Sequence, residues 1–332
     1  MKIPAELPPL LESFFTKRLL GQRQVSPNTI AAYRDTFSLL LKFTQKRLRR
    51  EPCKLRLEDM NADLIASFLD ELESCRHCCP RTRNLRLAAI RSFFRYAAVE
   101  APQHAALIQR VLSIPRKCHV QPVIDFLTRD EIKALLMAVD RTTWLGRRDH
   151  AILLTAVQTG LRLSELTSLR RTDVVLGNGA HVRCTGKGRK ERCTPLSKPT
   201  VAVLTTWMRD AMITQSPFLF PSLRASRLSS DAVQRMVTRH VANAKKTCPS
   251  LAKKRVTPHV LRHSAAMELL QAGVDRSLIA IWLGHESVET TQVYLDADLT
   301  LKEAMLAKAQ PIESAPTRYR PSDQLIQFLR AL

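Results

Sequence analysis

Strand signals gather in one place in this chain, residues 174–196. Val174 and Val175 lead into the turn Gly177-Asn178-Gly179. A run over 180–185 follows, then Gly186-Lys187-Gly188 and a second run over 190–196. Elsewhere the apolar residues recur at helical spacing. A chain patterned in this way folds as a mainly α protein with a small antiparallel β-sheet. Its 332 residues suit about two domains of ordinary size.

The N-terminal part reads as helices alone. One is expected over 8–21, with Pro8 and Pro9 at its start and Gly21 at its end. Ser26-Pro27 is an N-cap followed by proline at the first helical position, and Ile30, Tyr33, Phe37, Leu40, Leu41 and Phe43 follow as its core face. A third helix fits 61–74, with Leu64, Ile65, Phe68, Leu69 and Leu72 inward. Pro80 opens a fourth, about 81–99, where Leu87, Ile90, Phe94 and Ala97 can pack inward while Arg91 and Arg95 share an outer face. Between Ser74 and Val99 there are six arginines and no acid. Arginines can simply solvate a helix, but charge of one sign without acidic partners favours contact with a polyanion. Arg83, Arg86, Arg91 and Arg95 are the candidates. Residues 101–124, with three prolines and one short helical pattern, read as a tail and linker.

In the second part, Thr128-Arg129-Asp130-Glu131 is a capping-box start to a helix over 129–139. Residues 149–158 are apolar and helical, and Gly160 breaks them. Arg162 then stands at the start of a helix ending near Leu169, where it could pair structurally with Glu165 or Asp173. After the strands come a helix over 200–215, a loop, and a helix over 231–244 capped by Ser230. Residues 245–255 hold five basic side chains and one proline. They suit a DNA-facing loop carrying Lys245, Lys246, Lys253, Lys254 and Arg255. A helix over 258–272 places His259 and Arg262 in its first turns. Residues 275–283 and 287–296 make a helix pair of helix-turn-helix type, in which Trp282, Leu283, Val288 and Leu295 read as core.

Charge points to the partner. There are 52 Lys and Arg against 30 Asp and Glu, a net +22, and a pI near 10.2. Residues 1–124 hold 21 of the basic and 11 of the acidic side chains, and 125–332 hold the remaining 31 and 19. Two separately basic parts fit nucleic acid better than a plain soluble surface or a single basic tail. There is no signal peptide and no apolar run long enough to span a bilayer. The eight cysteines then read as reduced thiols. Cys75-Arg76-His77-Cys78-Cys79 invites a zinc reading but lacks a second ligand pair at suitable spacing, so no metal is assigned. Cys184 and Cys193 flank the hairpin and are expected to face each other across it.

Six residues suit one chemistry. A phosphodiester gains charge on its non-bridging oxygens in a pentavalent transition state. Guanidinium groups grip two such oxygens in a planar fork and stay charged. Arg162 and Arg262 are the candidates. Tyr294, with a phenol pKa of ~10, needs a neighbouring base to attack, and His259 could take its proton. Lys187, at a glycine-flanked tip, could protonate the leaving oxygen, although Arg189, Lys190 and Arg192 lie close by in sequence. His285 could donate a hydrogen bond to a phosphate oxygen. No metal or nucleotide is needed, because a phosphotyrosyl ester keeps the energy of the broken bond.

These residues, in order, resemble the tyrosine recombinase (phage integrase) family, above all its bacterial Xer-like and transposon-borne members. The matching stretches are 159–166 (TGLRLSEL), Thr185-Gly186-Lys187-Gly188, His259-Val260-Leu261-Arg262-His263, Leu283-Gly284-His285, and Tyr294 nine residues later. The resemblance picks Lys187 out from its basic neighbours. It implies a two-domain DNA clamp: a helical core-binding (SAM-like) domain over 1–100, a linker over 101–124, a catalytic domain over 125–310, and a tail over 311–332 for exchange between protomers. Glu165 and His263 become supporting residues. Strands would be cut and rejoined through a 3′-phosphotyrosyl link, without cofactors. The implied partners are double-stranded DNA, three further copies in a homotetramer on two paired sites, and an accessory recombinase or element-encoded protein. The implied location is the bacterial cytoplasm, at the nucleoid. Two other functions share parts of the pattern. A type IB topoisomerase would relax supercoils as a monomer without site preference. A non-catalytic DNA-binding regulator on the same scaffold would have no need of Tyr294.

Overall fold

The computed structural model describes residues 6–119, 124–186, 191–210 and 216–284. They divide into two units at 121/122. In the first, α1 (Leu7–Ser13) runs on as a π-helical stretch over Phe14–Gln22, so the helix ends one residue past Gly21. α2 (Pro27–Leu48) starts at Ser26, whose Oγ accepts from the Thr29 amide at 3.3 Å. α3 (Ala62–Ser74) is capped by Asn61, which accepts from the Leu64 amide at 2.9 Å. α4 (Pro80–Glu100) follows. The aromatic residues of α1, α2 and α4 form the centre. The ring of Phe14 lies 5.5 Å from Phe93 and 5.7 Å from Tyr96, and Phe37 lies 5.4 Å from Phe93.

The stretch expected as tail and linker is largely structured. α5 (Ala105–Ser113) packs on α3 and α4, and Ala101, Ile108, Val111 and Ile114 join the first core. The chain then runs back beside α4. Asn84 Nδ2 donates to the Lys117 carbonyl (2.8 Å), and the Lys117 amide donates to Asn84 Oδ1 (3.0 Å). This second covered face of α4 corrects part of the expected DNA-contact set. Arg83 is only 5% exposed. It reaches the Pro115 carbonyl at 3.5 Å and Glu73 at 3.6 Å. Arg91 donates to the Ile114 carbonyl. Arg86 and Arg91 are half-buried, and Arg95 is exposed. Arg83 and Arg91 are recruited because carbonyls at 114–115 have left helical pairing and need donors.

The second unit opens with α6 (Arg129–Met137) and its capping box: the Glu131 amide donates to Thr128 Oγ1, and the Thr128 amide to Glu131 Oε2. α7 (Trp144–Thr159) begins earlier than its apolar run, because Thr143 caps it through the Gly146 amide (3.0 Å). α8 (Leu163–Ser168) leads to β1 (Val174–Val175), β2 (His181–Thr185) and β3 (Glu191–Pro195), an antiparallel sheet in the order β1-β2-β3. α9 (Lys198–Met208), α10 (Ser230–Ala244, capped by Ser229), α11 (Pro258–Gln271) and α12 (Arg276–Leu283) complete the described part. α11 packs along α7, and Leu153, Leu161, Val237 and Leu261 lie in the unit's core.

Two expectations fail here for reasons of geometry. Arg183 pairs with Cys193 and Cys184 with Arg192. Side chains alternate along a strand, so Cys184 is buried on the inner face while Cys193 is exposed on the outer one. Lys254, expected on a DNA-facing loop, is half-buried and engaged internally: its Nζ donates to Glu131 Oε2 (2.6 Å) and to the Phe126 carbonyl (2.8 Å), tying the 245–255 segment to α6. Lys245, Lys246, Lys253 and Arg255 are exposed.

The charged pair inside α7 has a purpose that periodicity alone hides. Asp149 is wholly buried. It accepts from Arg148 Nη2 (2.8 Å) and Arg239 Nη2 (2.7 Å), and His240 Nε2 lies 2.9 Å away. Arg148 also donates to the Pro221 carbonyl. The cluster pins α10 and the segment after α9 to α7. All eight cysteines are free thiols. Among the described residues, no helix is long and apolar enough to cross a membrane.

Where α7 ends, Gly160 turns the chain with φ +64°. A Cβ there would lie 2.5 Å from Leu283 Cδ2 and 3.2 Å from Ala265 Cβ. Left-handed strain and overpacking together predict a loss of about 2–4 kcal/mol for Gly160→Ala. Its thermal midpoint should fall by several degrees, and an unchanged midpoint would contradict the close packing of α7, α11 and α12.

Candidate active site

The site is built where α7, α8, α11, α12 and β3 end or meet. Arg162 is the N-cap residue of α8, held extended by its own capping box: its amide donates to Glu165 Oε2 at 2.8 Å. That leaves its side chain at the helix mouth, 30% exposed. Nη1 donates to Glu165 Oε1 (3.0 Å) and Nη2 to the Gly284 carbonyl (2.7 Å). Glu165 is therefore the structural partner of Arg162; Asp173 instead accepts from the Arg170 amide.

Arg262 arrives from α11. Thr257 caps that helix through the Val260 amide, and Pro258 occupies its first turn. One turn further in, Arg262 is 3% exposed. Nη1 donates to the Gly160 carbonyl (2.6 Å) and Nη2 to the Leu283 carbonyl (2.7 Å). Both carbonyls sit at helix C-termini, beyond the last helical partners, so a buried guanidinium satisfies them. Arg162 and Arg262, a hundred residues apart, thus grip consecutive carbonyls, Gly284 and Leu283. The Trp282 indole adds a bond to the Thr159 carbonyl (3.1 Å). Gly284 closes α12 with φ +64°. His285 is the next residue.

His259 is exposed and His263 half-buried, one helical turn apart on α11, with ring centroids 4.4 Å from each other. Lys187, His285 and Tyr294 lie outside the described residues, as do Val288, Leu295 and the expected second helix of the 275–296 pair. The described strands lie on either side of Lys187 in sequence, β2 ending at Thr185 and β3 starting at Glu191.

Arg192 also belongs to the site, and the sequence patterning treats it only as a basic neighbour of Lys187. Its two terminal nitrogens fork onto Glu165, Nη1 to Oε1 (3.0 Å) and Nη2 to Oε2 (2.7 Å). The pairing with Cys184 places it on the inner face of the sheet. Burial alone would raise the Glu165 carboxyl, but the Arg192 fork and the Arg162 amide hold it below its ordinary value of 4.5. The same balance, with His240 and Arg148 as partners, keeps Asp149 below 3.8. Burial pushes the neighbouring Cys184 thiol up to about 11, so it stays neutral beside the arginines.

The sign of the pH effect follows. A carboxylate whose folded pKa is depressed adds stability above its unfolded pKa and loses it as pH falls through the folded one. Thermal midpoints should therefore drop below about pH 4.5, where these carboxylates begin to protonate in the unfolded chain. Glu165→Gln should melt lower than wild type at pH 7 but show a shallower acid decline. Parallel curves for the two proteins would rule out Glu165 as a source of the acid sensitivity.

The phage integrase family model matches residues 125–300, and the model for the phage integrase N-terminal SAM-like domain matches residues 13–101. The chain belongs to the phage integrase family of tyrosine recombinases. It is 58% identical over 328 residues to y4rC of Sinorhizobium fredii, named as an integrase/recombinase, covering 99% of each chain. It is 31% identical to the tyrosine recombinase XerC of Pelobacter propionicus, covering 93% of this chain and 98% of that one. Its fold resembles that of the XerH site-specific recombinase solved with palindromic difH substrate. The TM-score is 0.69 at 21% identity, over 86% of this chain and 81% of that one. This tyrosine recombinase is thus an enzyme of site-specific DNA recombination. Its mainly helical, two-domain fold with one small sheet is the one its pattern predicts. The signal that could have found Arg192 was strand alternation: once Thr185 is paired with Glu191, Arg192 falls opposite Cys184 and shares its face.

Proposed function

We propose that this recombinase cuts and rejoins DNA with Tyr294 as nucleophile and Arg162 and Arg262 as the phosphate clamp. The observation that carries the reading is the convergence of both guanidiniums on the Leu283–Gly284 carbonyls, directly before His285. Around Glu165 there are two guanidiniums for one carboxylate, so the exposed Arg162 end has an excess of positive charge to meet a phosphodiester. In the step proposed, the Tyr294 oxygen forms a bond to the scissile phosphorus. Its proton passes to His259. The bond from phosphorus to the 5′ oxygen breaks, and Lys187 protonates that oxygen. The partner strand's 5′ hydroxyl reverses the step in rejoining. His285 donates to a non-bridging oxygen, while Glu165 and His263 support the two arginines and His259.

Double-stranded DNA is the partner proposed for both units. Arg95, Lys245, Lys246, Lys253 and Arg255 are the exposed members of the basic set that can reach a backbone without leaving an internal partner. A homotetramer on two paired sites, with residues 311–332 exchanged between protomers, completes the assembly, and an accessory recombinase or element-encoded protein joins it at the target.

The test is an SDS-resistant adduct assay with DNA flanking the protein's own gene and with plain supercoiled plasmid. Adducts at discrete flanking positions are the expected result. Unselective adducts with plasmid relaxation would instead mark a topoisomerase, and tight binding with no adduct on any DNA a regulator.

A further inference from the structure

We infer that Arg192 is a positioning residue for the cleavage step, acting through Glu165 on Arg162. The inference rests on the proposed roles of Arg162 and Tyr294, and it goes beyond them by assigning work to a strand residue outside the six.

Arg192 is 13% exposed and Glu165 4%, so their ion pair is largely shielded from water. The fork occupies both oxygens of Glu165. Glu165 has only those two oxygens, and Arg162 needs them as well: its amide uses Oε2 and its Nη1 uses Oε1. The result is a shared carboxylate. Arg162 makes a single side-chain bond to it and keeps Nη2 on the Gly284 carbonyl. Arg192 also fills the space beside that carbonyl: a Cβ on Gly284 would lie 2.8 Å from its Nη1 and 3.2 Å from its Cδ. One side chain therefore pairs with the carboxylate that holds Arg162 and fills the space over the α-carbon of Gly284, whose carbonyl Arg162 holds.

Removing Arg192 would have a directed consequence. Planar guanidinium and carboxylate groups prefer a two-bond fork. With the competing fork gone, Glu165 is free to take Arg162 by both nitrogens. Nη2 would leave Gly284, and the guanidinium would turn from the helix mouth toward its carboxylate. A displacement of about 1 Å at a charge-stabilising group costs on the order of 100-fold in rate. The register of the hairpin is what makes the arrangement available, since a slip of one residue would send Arg192 to the outer face.

A rival explanation is that Arg192 merely steadies the hairpin that carries Lys187. The two differ in chemistry. If Arg192 served the proton donor, a substrate whose leaving group needs no proton would restore cleavage. Duplexes with a 5′-bridging sulfur at the scissile phosphate release a thiolate, which leaves unprotonated near neutral pH. The experiment compares wild type, Arg192→Met, Arg192→Lys and Lys187→Ala on oxygen and sulfur versions of one site. It measures single-site binding, the rate of covalent adduct formation and the melting midpoint.

The expected result is binding within about twofold of wild type and adduct formation down about 100-fold for Arg192→Met on both substrates alike. Arg192→Lys, which keeps charge but not the fork, should fall between. Lys187→Ala should recover on sulfur. Recovery of Arg192→Met on sulfur, an unchanged rate on oxygen, or equal losses of binding and cleavage would each overturn the inference. If Arg192→Met does not fold, Arg192→Lys with a wild-type melting midpoint carries the same comparison. Failure of the underlying reading looks different: wild type itself would then form no adduct on the sulfur substrate.

Discussion

Tyr294→Phe is expected to form no covalent adduct on any DNA while binding the target as tightly as wild type. The substitution removes one oxygen and keeps the ring. Whatever packing or stacking the ring supplies is retained, and only the nucleophile is lost. The proposed base, His259, and the proposed clamp arginines carry no hydroxyl that could replace it, and the aliphatic hydroxyls of Thr290 and Thr291 are less acidic than a phenol. The loss should therefore be complete within the limits of a gel assay, well beyond the ~10²–10³ typical of a lost charge-stabilising donor. The measurement is SDS-resistant DNA linkage beside a gel-shift titration on the same fragment. Residual linkage in the variant at a tenth of the wild-type rate or more would move the nucleophile elsewhere. Lost linkage together with lost binding would mean that Tyr294 shapes the DNA surface.

Arg262→Lys should come next in size and should fail twice over. Arg262 is nearly fully buried and ties the end of α7 to the end of α12 through the Gly160 and Leu283 carbonyls. An ammonium has no planar fork and cannot span both carbonyls with one geometry. Leaving one of them unsatisfied costs about 1–3 kcal/mol, so the melting midpoint should fall. Adduct formation should fall by a further ~10²–10³ through loss of the proposed phosphate donor. Arg162→Lys is the internal comparison. That side chain is 30% exposed, and water can replace its bond to Gly284. Its cleavage loss should be similar and its stability loss smaller. Equal melting losses in the two variants, or Arg262→Lys cleaving within a few-fold of wild type, would contradict the division of labour read from their burial.

The α7–α12 junction also shows how far patterns reach. Several helix starts were legible because a cap is a local event. Ser26, Asn61, Thr128 and Thr257 each accept from the amide three residues ahead, and such a bond needs nothing from the rest of the chain. The hairpin was legible because turn glycines and alternation are local too. The ends of elements were less so. The π-helical stretch ends at Gln22, one residue past Gly21, and α7 starts at Trp144, before its apolar run.

Side chains with a choice of partners escaped the patterns altogether. Arg83 and Arg95 stand on one helix, and nothing nearby in sequence says that one will be buried against Pro115 and the other exposed. Lys254 and Lys253 are adjacent, yet only Lys254 finds Glu131, 123 positions away. Asp149 sits in an apolar run and is satisfied from α10, some ninety residues on.

The sequence alone thus determined the family, the helical class with its one sheet, and the order of the residues proposed for the chemistry. Those are carried by residue identity, short-range spacing and local capping. Tertiary structure alone decided that Arg162 and Arg262 would meet on neighbouring carbonyls of α12, and that Arg192 would share Glu165 with Arg162. The reason is the range of the forces at work. A cap or a turn is satisfied within a few residues, whereas a buried charge is satisfied by whichever partner the packed core brings within about 3 Å of it.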